Sequence, residues 1–236
     1  FFTGELMVSF VVSQPENRLN ELVEMASEHA DSVSIILSEG LADLSYGPVL
    51  LDAKRGFIEE NFDGTKYRIT PNSFFQSNCE VAKTMYTRIR EEVRGRVLDL
   101  FCGVGSISLF AAGSAESVTG VEINAEAVEN AMTNREINGI ANAEFIAGDA
   151  LEFLEKTQGT FDTLVLDPPR SGMHPKAGEI INRRGPERIV YMSCNPSTFR
   201  DDILRMTSYK LEWLEAFDMF PQTPHLETLA VLTRQK

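Results

Sequence analysis

Apolar and polar positions along this chain fall into two textures that meet near residue 70. The first stretch opens abruptly at Phe1 with a strand-like run from Leu6 to Val12. Leu19, Leu22, Val23 and Ala26 then recur at helical spacing, which predicts a helix from about Glu16 to Ala30. Ser32 to Leu37 is a second strand-like run. Between Gly40 and Ile69 come short strand-like pieces broken by Gly47-Pro48, Gly56 and Asp63-Gly64, the last a hairpin signal. Residues 1–70 are expected to form a small α+β unit whose beginning is missing.

After Pro71 apolar runs alternate regularly with helical segments. Helices are predicted at about Ser77–Arg94, from Ser106, and at Ala125–Asn138, Leu151–Lys156, Lys176–Arg184 and Ser197–Thr207. Between them lie strand runs at Arg96–Phe101, Ser117–Glu122, Glu144–Ala147, Phe161–Leu166 and Arg188–Ser193. Such alternation implies right-handed βαβ units and a parallel sheet. The tail differs: Lys210–Phe220 and Leu226–Thr233 are expected to be two adjacent, antiparallel strands. The predicted fold of residues 71–236 is therefore α/β, a Rossmann-like doubly wound sheet with a C-terminal antiparallel hairpin.

Composition adds bounds to this pattern. The chain has 236 residues, and an apolar fraction of 43% suffices for a packed core. No run approaches the roughly 18 apolar residues of a membrane span, and no leader opens the chain, so a cytoplasmic protein without membrane contact is expected. A formal net charge of −13 argues against non-specific coating of nucleic acid. A local phosphate site stays open, because Arg88, Arg90, Arg94 and Arg96 lie close in sequence, as do Arg183, Arg184 and Arg188; each group is more readily a solvated helix or loop face. Cys79, Cys102 and Cys194 show no C-x-x-C spacing, and His29, His174 and His225 make no ligand pair, so no metal is expected.

The candidate chemistry sits where predicted strands end. Cys194 closes an apolar run and is broken off by Asn195 and Pro196; it is either a buried small hydrophobe or a nucleophile at the carboxyl end of a strand. Gly103 and Gly105 follow another strand and allow close backbone approach to a ligand, although the third glycine position of a dinucleotide fingerprint holds Ser108. Glu122 ends the next strand, Asp149 follows the third and Asp167 ends the fourth. Each is readable as a helix cap or as a ligand contact. Acids after three successive strands, with glycines after the first, resemble the crevice of class I S-adenosylmethionine-dependent methyltransferases, which has no pyrophosphate to cradle.

Two longer stretches make the resemblance specific. Asp167-Pro168-Pro169-Arg170-Ser171-Gly172 followed by Ile189-Val190-Tyr191-Met192-Ser193-Cys194-Asn195, and Asp218-Met219-Phe220-Pro221-Gln222-Thr223-Pro224-His225-Leu226-Glu227, closely resemble signature motifs of the RNA uracil-5 methyltransferases. Asn72 to Asn78 looks like a third block. The resemblance covers about residues 70–236 and implies that residues 1–70 are part of that family's central domain. It further implies S-adenosyl-L-methionine as cofactor and an RNA substrate, 23S rRNA being expected ahead of tRNA. Oligomeric state is not encoded in these motifs.

The family chemistry needs one cysteine and one base. Carbon 5 of uracil becomes nucleophilic only after a thiolate adds to carbon 6, and a base must then take the proton from carbon 5. By resemblance Cys194 is the nucleophile and Glu227 the base, across the crevice from the thiol. Gln76, Phe101, Ser106, Glu122, Asp149 and Asp167 match the family's cofactor-binding positions. A flipped or unpaired uridine is implied, with Phe74, Phe75 or Phe220 available to stack on a base. Arg170 is available to hold a phosphate or to pair with an acid. The oligonucleotide-binding-type domain and the cluster-binding cysteines of many family members are not legible here. Competing readings are an RNA cytosine-5 methyltransferase, which the Asp218–Glu227 block disfavours, and a non-catalytic RNA-binding protein that keeps the fold.

Overall fold

In the computed structural model, residues 2–15, 18–38 and 47–235 are described, and the chain divides into two compact units, Phe1–Phe75 and Gln76–Lys236. In the first, β1 (Met7–Val12) leads through α1 (Leu19–Ser27) to β2 (Ser32–Leu37), and β1 and β2 pair in parallel. β3 (Val49–Lys54) pairs antiparallel on the other edge of β2. Val23 of the helix packs with Val33 and Ile35 of the central strand, joined by Val8, Phe10 and Leu51. The helix is shorter than its apolar spacing predicts. At its far end His29 and Ala30 N–H both donate to Ala26 O, and Asp31 and Ser32 N–H to Leu6 O, so the chain turns out of the helix toward the sheet before Ala30, the predicted helix end. Residues 16 and 17 of the predicted start, and 40–46 of the predicted strand region, lie outside the described residues.

The Asp63-Gly64 signal marks a hairpin between β4 (Ile58–Phe62) and β5 (Thr65–Ile69). Both turn residues have positive φ, 49° and 90°, as a two-residue primed turn demands. Phe62, Tyr67 and Phe75 stack their rings 5.4–5.6 Å apart, which makes Phe75 a core residue of this unit. Phe74 is 64% exposed.

The second unit begins with α2 (Cys79–Glu92) and β6 (Arg96–Leu100), followed by α3 (Ser106–Ala111), β7 (Ser117–Glu122), α4 (Ala125–Ile137) and β8 (Ala143–Ala147). Then come α5 (Ala150–Lys156), β9 (Thr163–Leu166), α6 (Pro175–Arg184), β10 (Arg188–Ser193), α7 (Pro196–Arg205), β11 (Tyr209–Phe217) and β12 (Glu227–Arg234). The strands form one sheet in the order β11-β12-β10-β9-β6-β7-β8. β8, β7, β6, β9 and β10 run in parallel; β12 is antiparallel to both its neighbours. The predicted terminal hairpin is present, but β12 inserts between β10 and β11. The predicted strand to Phe220 stops at Phe217, and Pro221 and Pro224, which have no N–H to donate, fall in the turn that follows.

The buried strands read as apolar runs because helices cover both faces. Leu98, Leu100, Leu164, Leu166, Ile189 and Tyr191 point to the face covered by Leu154, Ile180, Ile181 and Phe199 of α5, α6 and α7. Fully burying one such Leu or Ile side chain contributes about 1.5–3 kcal/mol. Helix starts are set by side-chain caps: Asn78, Asn124, Asp149, His174 and Asn195 each accept a bond from a first-turn N–H. No helix among the described residues is long and apolar enough to cross a membrane.

Two glycines with positive φ separate packing from turn geometry. A Cβ on Gly105 (φ 77°) would lie 2.8 Å from Phe145 Cζ and 3.1 Å from Ala131 Cβ, whereas one on Gly64 (φ 90°) would meet nothing within 4 Å. Gly105→Ala is expected to cost about 3 kcal/mol and Gly64→Ala about 1 kcal/mol. Urea unfolding of both variants would measure the difference.

Candidate active site

The crevice lies at the carboxyl ends of the parallel strands, where winding reverses between β6 and β9. On one side the chain leaves β6 through Phe101, a non-glycine residue at φ 68°, held there as Phe101 and Cys102 N–H both donate to Val121 O (2.9 and 3.2 Å). Such a conformation persists only when its surroundings impose it. Gly103 follows at φ 54°, with nothing within 4 Å of where a Cβ would stand, so its backbone borders open space. The Glu122 carboxylate crosses to this turn. Its Oε2 accepts from Gly103 N (3.1 Å) and its Oε1 from Asn124 N (2.9 Å). Ile123 beside it is 71% exposed.

The remaining residues expected on this side have varied settings. Ser106 opens α3, and its hydroxyl accepts a bond from Tyr86 Oη (3.2 Å). Gln76 is buried, just before α2. Asp149 is exposed and caps α5 through a bond from Glu152 N to Oδ1 (2.9 Å), the capping role that its position had left open. Asp99, not among the residues expected here, is a buried acid under this turn. Ser108 Oγ donates to its Oδ2 (2.5 Å), while Oδ1 has no hydrogen-bond partner. Burial pushes its pKa up to about 7. An aspartate inside the apolar run Val97 to Phe101 was the available signal.

On the other side Asp167, Cys194 and Glu227 come together. Ser193 pairs with Thr228 across β10 and β12, so the residues flanking that pair, Cys194 and Glu227, meet at the rim. The Thr228 hydroxyl fixes the junction by donating to Ser193 O (3.1 Å). Continued by one residue, the register faces Glu227 toward Cys194 from the neighbouring strand. It is 4% exposed, and burial pushes its carboxyl up to about 7, with Arg170 opposing. Burial, Glu227 and Asp99 raise Asp167 well above the usual carboxylate range. Cys194 is half-buried; burial foremost, then Glu227 and Asp167, raise its thiol, and Arg170 pulls it back.

The Arg170 loop is built into this rim. Its carbonyl accepts from Asn195 Nδ2 (3.0 Å) and Thr198 Oγ1 (3.3 Å), and its guanidinium Nη2 bonds His225 Nδ1 (2.9 Å). Beyond it, the buried Asp202 carboxylate accepts from Met173 N (2.9 Å) and Tyr191 Oη (2.6 Å). Phe220 packs edge-on against His225, centroids 6.1 Å apart.

The arginine-rich stretches mostly serve internal contacts. Arg88 pairs with Glu91 and Glu215, Arg96 with Asp162, and Arg188 with Glu92 and Glu212; Arg90 lies over the Phe110 ring and Arg184 bonds the carbonyls of Leu154 and Glu155. Among the described residues, no group of three or more His, Cys, Asp or Glu side chains is arranged to hold a metal ion.

Comparison with known proteins adds a family. Residues 52–235 match the family profile described as tRNA (Uracil-5-)-methyltransferase. A tRNA (uracil(54)-C(5))-methyltransferase of Pyrococcus furiosus is 41% identical over 236 residues, covering 99% of this chain and 55% of the relative. An uncharacterized RNA methyltransferase of Clostridium tetani is 37% identical over 253 residues, covering 99% of this chain and 54% of the relative. The crystal structure of Pyrococcus abyssi tRNA (uracil-54, C5)-methyltransferase in complex with S-adenosyl-L-homocysteine gives a TM-score of 0.84 at 36% identity, covering 98% of this chain and 57% of that one. At 15% identity and a TM-score of 0.65, the M. jannaschii tRNA m1G37 methyltransferase shares the fold. The architecture is thus the expected Rossmann-like methyltransferase fold. The chain spans about half the length of the curated relatives it matches.

The raised Glu227 carboxyl has a consequence for stability. Its proton is bound more tightly in the native than in the unfolded chain, so its contribution is full below the ordinary carboxylate range and is lost as pH rises through about 7. In cofactor-free protein, Glu227→Gln is expected to gain more than about 1 kcal/mol on the wild type between about pH 5 and pH 8. Denaturant unfolding at the two pH values would measure it.

Proposed function

Because the chain belongs to the tRNA (uracil-5-)-methyltransferase family, we propose that it carries the catalytic part of an enzyme that methylates carbon 5 of a uridine in RNA, through a transient bond between Cys194 and carbon 6. The observation that carries this reading is the strand register that seats Glu227 beside Cys194, giving a nucleophile and a base at one rim of a cofactor-type crevice. In the same reading, residues 71–236 are the catalytic domain and residues 1–70 part of a central domain.

The crevice residues suit an adenosyl cofactor. The open backbone at Gly103 admits a ligand, Glu122 presents a carboxylate for ribose hydroxyls, and the exposed Ile123 offers an apolar surface to a purine. Gln76, Phe101, Ser106, Asp149 and Asp167 would complete the site. A crevice lined with acids favours a cationic ligand over a pyrophosphate. S-adenosylmethionine, when bound, supplies an electrophilic methyl group on a positively charged sulfur.

The chain's own groups then have defined tasks. The Cys194 thiolate forms a bond to carbon 6, and the electron pair of the carbon 5–carbon 6 double bond makes carbon 5 nucleophilic. Once carbon 5 carries its methyl group, Glu227 removes the remaining proton there. The released pair restores the double bond, the carbon–sulfur bond breaks, and the thiolate leaves. A base poised near 7 suits proton transfer at neutral pH. The uridine must leave its stack to reach the thiol, and Phe220, packed on His225 at the rim, is placed to face it. For the target, the Pyrococcus relatives named for uracil 54 of tRNA weigh toward tRNA, ahead of the 23S rRNA expected from the motifs.

Cys194→Ala in the full-length enzyme is expected to abolish 5-methyluridine formation while leaving cofactor affinity unchanged; methylation surviving in that variant overturns the mechanism. Glu227→Gln is expected to accumulate a covalent RNA adduct on the Cys194 peptide, read by mass spectrometry, that resolves at least about tenfold more slowly than in the wild type. Absence of any adduct in an inactive wild type would favour the non-catalytic alternative. Glu122→Ala is expected to weaken S-adenosylmethionine binding by about tenfold or more, with the fold intact by circular dichroism.

A further inference from the structure

Arg170 carries the positive charge that opposes burial at both reacting groups, since it lowers the Cys194 thiol and the Glu227 carboxyl where the surrounding acids raise the thiol. The backbone of Arg170 is fixed by Asn195 and Thr198, but its side chain is exposed and long, with many rotamers open to it unless a partner holds it. The guanidinium is ordered by its hydrogen bond to His225 Nδ1, at 2.9 Å.

That contact requires one tautomer of the histidine. A guanidinium has only donors, so Nδ1 must be the acceptor and the ring proton resides on Nε2. The ring is itself held. His225 N donates to Thr223 Oγ1 (3.2 Å), Thr223 Oγ1 donates to Phe220 O (2.7 Å), and the Phe220 ring backs the imidazole edge-on. Two residues later the same chain becomes Glu227 and enters the sheet, so the acceptor and the base are set by one short segment.

We infer that His225 is a positioning residue: its Nδ1 holds the Arg170 guanidinium over the Cys194–Glu227 rim, and the reactivity of the thiol depends on that hold. The role rests on the function proposed above, yet the thiol reports it without RNA. Without the acceptor, the guanidinium swings into solvent, where its effect on the rim is screened.

The test uses the full-length enzyme and iodoacetamide alkylation of Cys194 across pH, read on the Cys194 peptide; Cys79 and Cys102 are 5% and 6% exposed and react slowly. His225→Leu is expected to raise the pH midpoint by about one unit, about tenfold slower alkylation at neutral pH, and Arg170→Ala to do the same. The double variant is expected to go no further than either single one. His225→Asn, whose amide oxygen can replace Nδ1, is expected to restore most of the rate. The methylation kcat should follow the same ranking with cofactor affinity unchanged. An unshifted midpoint in His225→Leu, additive shifts in the double variant, or His225→Asn behaving like Arg170→Ala would each overturn the assignment. A wild type that forms neither 5-methyluridine nor an RNA adduct would instead defeat the proposed function, with the alkylation series still deciding the role of His225.

Discussion

The pairing of β12 with β10 constrains more of this molecule than any other interaction. β12 runs against its parallel neighbours, so its first residue stands where their last residues stand. Both strands are buried in their middle, with Val190 opposite Val231 and Tyr191 opposite Ala230, all fully excluded from solvent. A slip of one residue would turn every side chain of β12 to the wrong face, so the register is held by the whole core. The position of Glu227 is therefore specified by apolar residues that take no part in chemistry. A side chain delivered by a flexible loop would have no such guarantee.

The electrostatics follow from that packing. The acids of this crevice are crowded at strand ends: burial raises Asp99, Asp167 and Glu227, and repulsion from neighbouring carboxylates adds to the first two. A bound cation stabilises their charged forms, so cofactor charge and carboxylate ionisation are linked by mutual stabilisation. The thiol lies on the unfavourable side of this balance, because the field that attracts a sulfonium also resists a thiolate. Arg170 corrects the imbalance locally.

Much of this could be read from the chain alone, for identifiable reasons. Strands covered on both faces leave unbroken apolar runs, and β7 and β10 begin and end at the predicted residues, Ser117–Glu122 and Arg188–Ser193. Helix ends shifted by a residue or two because caps such as Asn78 and Asn195 decide them. Cys194 and Glu227 were visible through motifs, but their adjacency was not, since strand order is a long-range property that local periodicity does not encode. The same holds for the bond between Arg170 and His225, which no spacing rule connects. For Phe75 the sequence leaves both a stacking surface and a core place open, and contacts with Phe62 and Tyr67 decide for the core.

The hydrogen bonds around α7 carry a mechanical implication. Cys194 leads directly into that helix, Asn195 and Thr198 grip the Arg170 carbonyl, and Asp202 ties both Met173 and Tyr191 to the same helix. The Cys194 thiol and the Arg170 backbone thus ride on one bracket. A shift of α7 therefore displaces Cys194 and the Arg170 backbone in concert, and the spacing between those two is preserved.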